Sequence, residues 1–169
     1  MMNVREELEH LHTASFGWAL ACCRQRRHEA EDILQAAYLK VLDGRAQFAG
    51  KASFRTWLFG VIRHTALESR RRSWLRAGLL TRWHREGIVD DTAPAADATL
   101  AEMEGVRSLG AAIKLLSRRQ QEVLHLVFYQ EFTVEEAAQL LGVSPGSART
   151  HFERGKARLR RLLSERVAP

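Results

Sequence analysis

Apolar residues recur at helical spacing at both ends of the chain and lose that period in the middle. Leu8, Leu11, Ser15, Trp18, Ala19 and Cys22 fall on one helical stripe. Ile33, Leu34, Ala37, Tyr38, Val41 and Leu42 form a stronger one, and Asp43-Gly44 is a fitting stop for it. After a loop from Arg45 to Ala52, Ser53 can cap a third helix. Its inward face would be Phe54, Trp57, Leu58, Val61, Ile62 and Thr65, and it runs into Arg70-Arg71-Arg72. From 77 to 104, Gly78, Gly87, Pro94 and scattered alanines and acids leave no sustained period. That stretch reads as a linker, with a short helical piece near Leu79 to Trp83.

Helical spacing then resumes. Val106, Leu109, Ile113 and Leu116 make one stripe. Ser117 with Gln120 has the form of a capping box, ahead of Val123, Leu124, Val127 and Phe128. Thr133 with Glu136 repeats it, ahead of Val134, Ala137, Ala138 and Leu141. Gly142 ends that helix. Ser144-Pro145 opens the next, whose inward face would be Ala148, Phe152, Gly155, Leu159 and Leu162. No segment alternates as a strand does. The expected fold is all-α: two small helical domains, 1–76 and 105–166, joined by a flexible acidic linker over 77–104.

Charge sharpens this division. The 169 residues carry a net charge of +6, unevenly placed. Residues 51–85 hold nine basic side chains against Glu68 alone. Residues 86–105 hold Glu86, Asp90, Asp91, Asp97, Glu102 and Glu104 and no base. Residues 145–169 are basic again. Two basic blocks around an acidic stretch suggest two contacts with a polyanion. No apolar run is long enough to span a bilayer, and the first residues lack the apolar core of a signal peptide, so a cytoplasmic protein is expected. Cys22 and Cys23 are adjacent, which suits neither a disulfide framework nor tetrahedral zinc with His10, His12 and His28. A buried thiol is the better reading of Cys22. No catalytic triad, carboxylate pair or phosphate loop is evident, so neither an enzyme nor a metal or cofactor is expected.

Three constellations carry the candidate chemistry. Residues 133–156 have the form of a helix-turn-helix. With Ala148 and Phe152 inward, Ser147, Arg149, Thr150, His151 and Arg154 face solvent on the half of the second helix that reaches base edges. Arginine can hold guanine bidentately, whereas Ser147, Thr150 and Lys156 suit phosphates. The second constellation interleaves Phe54, Trp57, Phe59, Trp74 and Trp83 with Lys51, Arg55, Arg63, Arg70, Arg71, Arg72 and Arg76. Aromatics beside cations suit single-stranded nucleic acid. Trp57, on the apolar stripe, reads as core, while Arg63 and Arg70 to Arg72 read as phosphate contacts. The third is Glu29-Ala30-Glu31-Asp32-Ile33-Leu34-Gln35. Its acids can complement a helix dipole, or Asp32, Gln35 and Leu39 can form a docking edge.

Taken in chain order, the three constellations resemble the extracytoplasmic-function class of bacterial RNA polymerase sigma factors. His28-Glu29-Ala30-Glu31-Asp32-Ile33-Leu34-Gln35 is similar to the region-two motif that docks on the polymerase clamp helices. Phe54-Arg55-Thr56-Trp57-Leu58-Phe59-Gly60-Val61-Ile62-Arg63 is similar to the segment that opens and reads the minus-ten element. Arg118-Arg119-Gln120-Gln121-Glu122-Val123-Leu124 and Thr133 to Arg158 are similar to region four, which reads the minus-thirty-five element. The resemblance implies core-polymerase contacts at Glu31, Asp32, Leu34 and Gln35. It implies minus-ten contacts at Lys51, Arg55, Arg63, His64, Arg70, Arg71 and Arg72, and minus-thirty-five contacts at Ser147, Arg149, Thr150, His151, Arg154 and Lys156. It also implies an anti-sigma partner and a linker path through a basic polymerase channel. His64 stands where the family commonly has Asn, and Ser117 where it usually has Pro. The alternative is a free-standing helix-turn-helix regulator, for which the chain shows no dimerisation element or sensor domain.

Overall fold

The computed structural model describes residues 3–80 and 109–164. The described residues form eight helices and no strand. They are α1 (Val4–His10), α2 (His12–Cys22), α3 (Arg27–Leu42), α4 (Phe54–Leu80), α5 (Leu109–Lys114), α6 (Arg118–Phe128), α7 (Val134–Leu141) and α8 (Pro145–Ser164). They fall into two compact units, α1–α4 and α5–α8. Most of the acidic linker, including its six acids, lies outside the described residues, as do Trp83 and Val106. Its first four positions, 77–80, are the last turn of α4.

In the first unit α2, α3 and α4 pack on one another and α1 closes one side. Trp18 is the centre of this core. It is fully buried, its ring stacks on Phe59 at 5.9 Å between centroids, and its indole N–H donates to the Phe59 carbonyl at 2.9 Å. Leu8, Ile33, Leu34, Ala37, Val41, Leu58 and Ile62 complete the packing. The first stripe is two helices rather than one, broken at Leu11. Leu42 also departs from expectation: on the last turn of α3 it is exposed. The Ser53 hydroxyl accepts from the Thr56 N–H, so α4 starts where its sequence signal stands.

In the second unit α6 and α7 pack against α8, and α5 lies on α8's far half. Both capping boxes form. Ser117 exchanges hydrogen bonds with Gln120, and Thr133 with Glu136. Gly142 takes φ +64, and the Val143 N–H reaches back to the Ala138 carbonyl at 3.0 Å. This left-handed turn ends α7 and lets Ser144 cap α8 through the Ser147 N–H. Ala137, Ala138, Leu141 and Ala148 are buried at the crossing. At Gly155 a Cβ would stand 3.0 Å from Leu124 Cδ1 and 3.3 Å from Gln120 Cβ, so the α8 backbone lies close on the side chains of α6. Leu109 and Phe128, placed inward by their stripes, are exposed; Ala112, Leu115 and Leu126 fill the core instead. Phe128 packs its ring on Phe152 at 5.6 Å.

Candidate nucleic-acid interface

The helix-turn-helix presents the N-terminal half of α8 outward. Ser147, Arg149, Thr150 and Arg154 are exposed and His151 is half-buried. Three of these side chains are already engaged. The Thr150 hydroxyl donates to the Gly146 carbonyl at 3.0 Å, and the Ser147 hydroxyl accepts from Ser144 at 3.0 Å. Arg149 donates from Nη2 to Glu135 Oε1 at 2.7 Å, an ion pair between the two helices of the motif. Lys156 lies along the helix flank, its ammonium 4.3 Å from the Phe152 ring centroid and 2.9 Å from Glu153. Along its length α8 carries six cations against Glu153.

On α4 the second set divides by helical face. Arg63 and Arg70 are seven residues apart and share one edge; His64 and Arg71 share the outward face. Beyond the bundle, residues 71–78 are all exposed. That segment carries Arg71, Arg72, Arg76 and Trp74, with Trp74 53% exposed. Lys51 is exposed in the preceding loop. Two aromatics of the set belong to the interior. Phe59 is buried against Trp18 and takes the Arg55 guanidinium over its face at 5.5 Å. Trp57 is half-buried in a cluster with Phe48 and Phe54. Phe59 is therefore a core residue rather than a platform for bases, because it points along the same inward arc as Leu58 and Ile62.

A polar clamp ties α4 to α3. Lys40 donates to Thr65 at 3.2 Å and to Glu68 at 2.5 Å, and His64 Nδ1 stands 3.3 Å from Glu68. The Lys40 hydrogen bond, with the charges of Lys40, His64 and Arg72, holds the Glu68 carboxyl below its ordinary value of 4.5. A depressed carboxyl stabilises the fold above its unfolded value and loses that contribution as pH falls. Melting temperature should therefore drop on acidification below about 4.5, by the equivalent of less than about 1 kcal/mol for so exposed a pair. Glu68→Gln should flatten that part of the pH profile; an unchanged profile would assign the acid sensitivity elsewhere.

The third set lies on α3. Glu31, Asp32 and Gln35 are exposed, with Leu39 one turn further at 52% exposure. Glu31 pairs with Arg27 at 2.8 Å. Leu34 is a correction: it is only 4% exposed, inside the unit's own core, and cannot meet a partner protein. The apolar arc of α3 is wide enough to take Leu34 inward beside Ile33.

Two family models match the chain. Sigma-70 region 2 matches residues 8–76, and Sigma-70, region 4 matches residues 107–159. The chain is 31% identical over 142 residues to the ECF RNA polymerase sigma factor SigX of Bacillus subtilis, covering 80% of this chain and 71% of that protein. The chain belongs to the ECF class of the sigma-70 family. The RNA polymerase sigma factor YlaC of Bacillus subtilis is 28% identical over 171 residues, spanning 97% of this sigma factor and 96% of YlaC. CarQ of Myxococcus xanthus is 30% identical over 138 residues, covering 80% and 75%. Among solved structures, the sigma factor RpoE from Bartonella quintana, crystallised with the anti-sigma factor NepR, has the same fold. Its TM-score is 0.69 at 24% identity, over 98% of both chains. CnrH, solved with the cytosolic domain of CnrY, is similar at TM-score 0.55 and 19% identity over 96% of this sigma factor. The region-2 match runs from the end of α1 into α4, and the region-4 match ends within α8. No helix among the described residues is long and apolar enough to cross a membrane.

Proposed function

We propose that this sigma factor works as a two-point promoter reader held on core RNA polymerase, acting by binding and not by catalysis of its own. The exposed edge of α3, through Glu31, Asp32 and Gln35, docks the core enzyme. The face of α4, with Lys51, Arg55, Arg63, His64, Arg70, Arg71 and Arg72, melts and reads the minus-ten element. The first half of α8 enters the major groove of the minus-thirty-five element with Ser147, Arg149, Thr150, His151 and Arg154, while Lys156 supports the helix from its flank. The observation that carries this reading is the pairing of two family-matched helical units, each presenting a basic helix. A cytoplasmic location fits that role. Control by an anti-sigma protein is supported by the similar sigma factor RpoE having been solved with the anti-sigma factor NepR.

In vitro transcription with core polymerase and genomic template is the direct test. Promoter-specific initiation that depends on the added chain supports the proposal, and its absence on every template overturns it. Within that assay, Arg149→Ala should cost about 1–3 kcal/mol, concentrated on one upstream base pair. An equal loss across all upstream sequences would make Arg149 a phosphate contact.

A further inference from the structure

We propose that Glu135 is a positioning residue for Arg149, and that the pair acts as one base-reading unit within the minus-thirty-five contact. This rests on the reading of α8 as the major-groove helix. The pair joins residues 14 apart in sequence, one on each helix of the motif, at 2.7 Å. Both partners are more than half exposed, so the bond does little for stability. Its consequence lies in orientation.

Local geometry reserves Glu135 for this task. The first turn of α7 carries two adjacent acids. Glu136 turns back and closes the capping box with Thr133, accepting from the Thr133 N–H at 2.8 Å. Glu135, one position earlier on the helix, is not needed for the cap and meets Arg149 across the motif. Glutamate accepts one Nη2 hydrogen and leaves the other guanidinium donors, in their fixed fork, for an acceptor pair. The guanine O6 and N7 form such a pair. Holding a long, rotamer-rich side chain in one direction before binding removes an entropy cost that binding would otherwise carry.

The carboxylate also decides between base and backbone. A phosphate contact depends on net positive charge, and Glu135 cancels that of Arg149 and repels the phosphates beside it. A guanine edge needs donors in the right place and carries no net charge. An arginine paired with glutamate on the DNA-facing side is thus suited to reading a base and poorly suited to gripping the backbone. The other exposed cation of this half-helix, Arg154, has no carboxylate partner among the described residues and is the better backbone contact.

The test uses holoenzyme reconstituted from the full chain and core polymerase, with a promoter pool randomised over the upstream element. Arg149→Ala should erase preference at one base pair. Glu135→Gln should reduce that same preference several-fold while binding random-sequence duplex more tightly. It should also steepen the log–log salt dependence by about 0.9, as one more cation reaches a phosphate. Glu135→Asp keeps the charge and loses the reach: preference should fall as with glutamine, with a salt slope near the parent's. Melting should be unchanged in both, since the Thr133–Glu136 box is intact. Full preference in Glu135→Gln, or equal weakening on every promoter with no change of slope, would overturn the positioning role. Preference surviving in Arg149→Ala would instead overturn the underlying reading of α8.

Discussion

Trp18→Ala is expected to unfold the α1–α4 unit while leaving α5–α8 folded. Removing a fully buried tryptophan costs about 3–5 kcal/mol through lost transfer energy and the cavity left behind. A unit of this size has a total stability near the lower end of the usual 5–15 kcal/mol. The indole stacks on Phe59 of α4, and its N–H is spent on that residue's carbonyl. Loss of the ring therefore loosens α4 from α2, and with it the face that carries His64 and Arg71. Trp18→Phe keeps a ring against Phe59 and gives up the hydrogen bond, so about 1–2 kcal/mol should be lost instead. Heteronuclear NMR reads both units separately. Collapse of only the α1–α4 resonances in the alanine variant is expected; a native-like first unit would show that Trp18 is not its keystone.

Glu122→Ala should damage the second unit almost as much. Glu122 is wholly buried in α6, with Arg118 Nη1 at 3.2 Å and Arg119 Nη1 at 3.0 Å. Deleting one partner of a buried ion pair strands the other, at about 3–5 kcal/mol. Arg118, with a side chain 7% exposed, has no easy route to water, whereas Arg119 lies nearer the surface. The double variant Arg118→Met/Glu122→Leu should therefore recover most of the loss, because two apolar side chains of similar volume remove both charges together. Thermal melting of Arg118→Met, Glu122→Leu and the double variant forms a cycle with strong coupling. Additive losses would mean that the pair is not a unit. Because α6 is the surface on which α7 and α8 pack, the single variant should also abolish upstream-element preference without touching the first unit.

Features encoded within one turn are legible in the sequence. Ser117 with Gln120, Thr133 with Glu136, Gly142 and Ser144-Pro145 each signal through neighbours three or four residues away, and each appears where expected. The α3 stripe was legible for the same reason. Features set by distant partners were not. Period alone cannot tell that Leu42 and Phe128, at the ends of their helices, stay largely exposed, or that Phe59 meets Trp18 across 41 residues. Leu34 was misplaced because motif resemblance gave it an outward role while the wider apolar arc of α3 turns it inward. Glu122 was read as part of a motif, and nothing local marks it as the buried centre of three charges. The Glu135–Arg149 pair had no signal at all, since its spacing matches no helical period.

The contact of α8 with α6 at Gly155 bears on how freely such proteins can be rewired. A recognition helix transplanted from a relative would need a small residue at 148, and any side chain at 155 would press on Leu124 and Gln120, which would have to give way. Positions 147, 149, 150 and 154 carry no such demand from the interior. The helix is a cassette with a fixed underside and an editable outer edge, and promoter preference can drift along that edge while the scaffold beneath it stays unaltered.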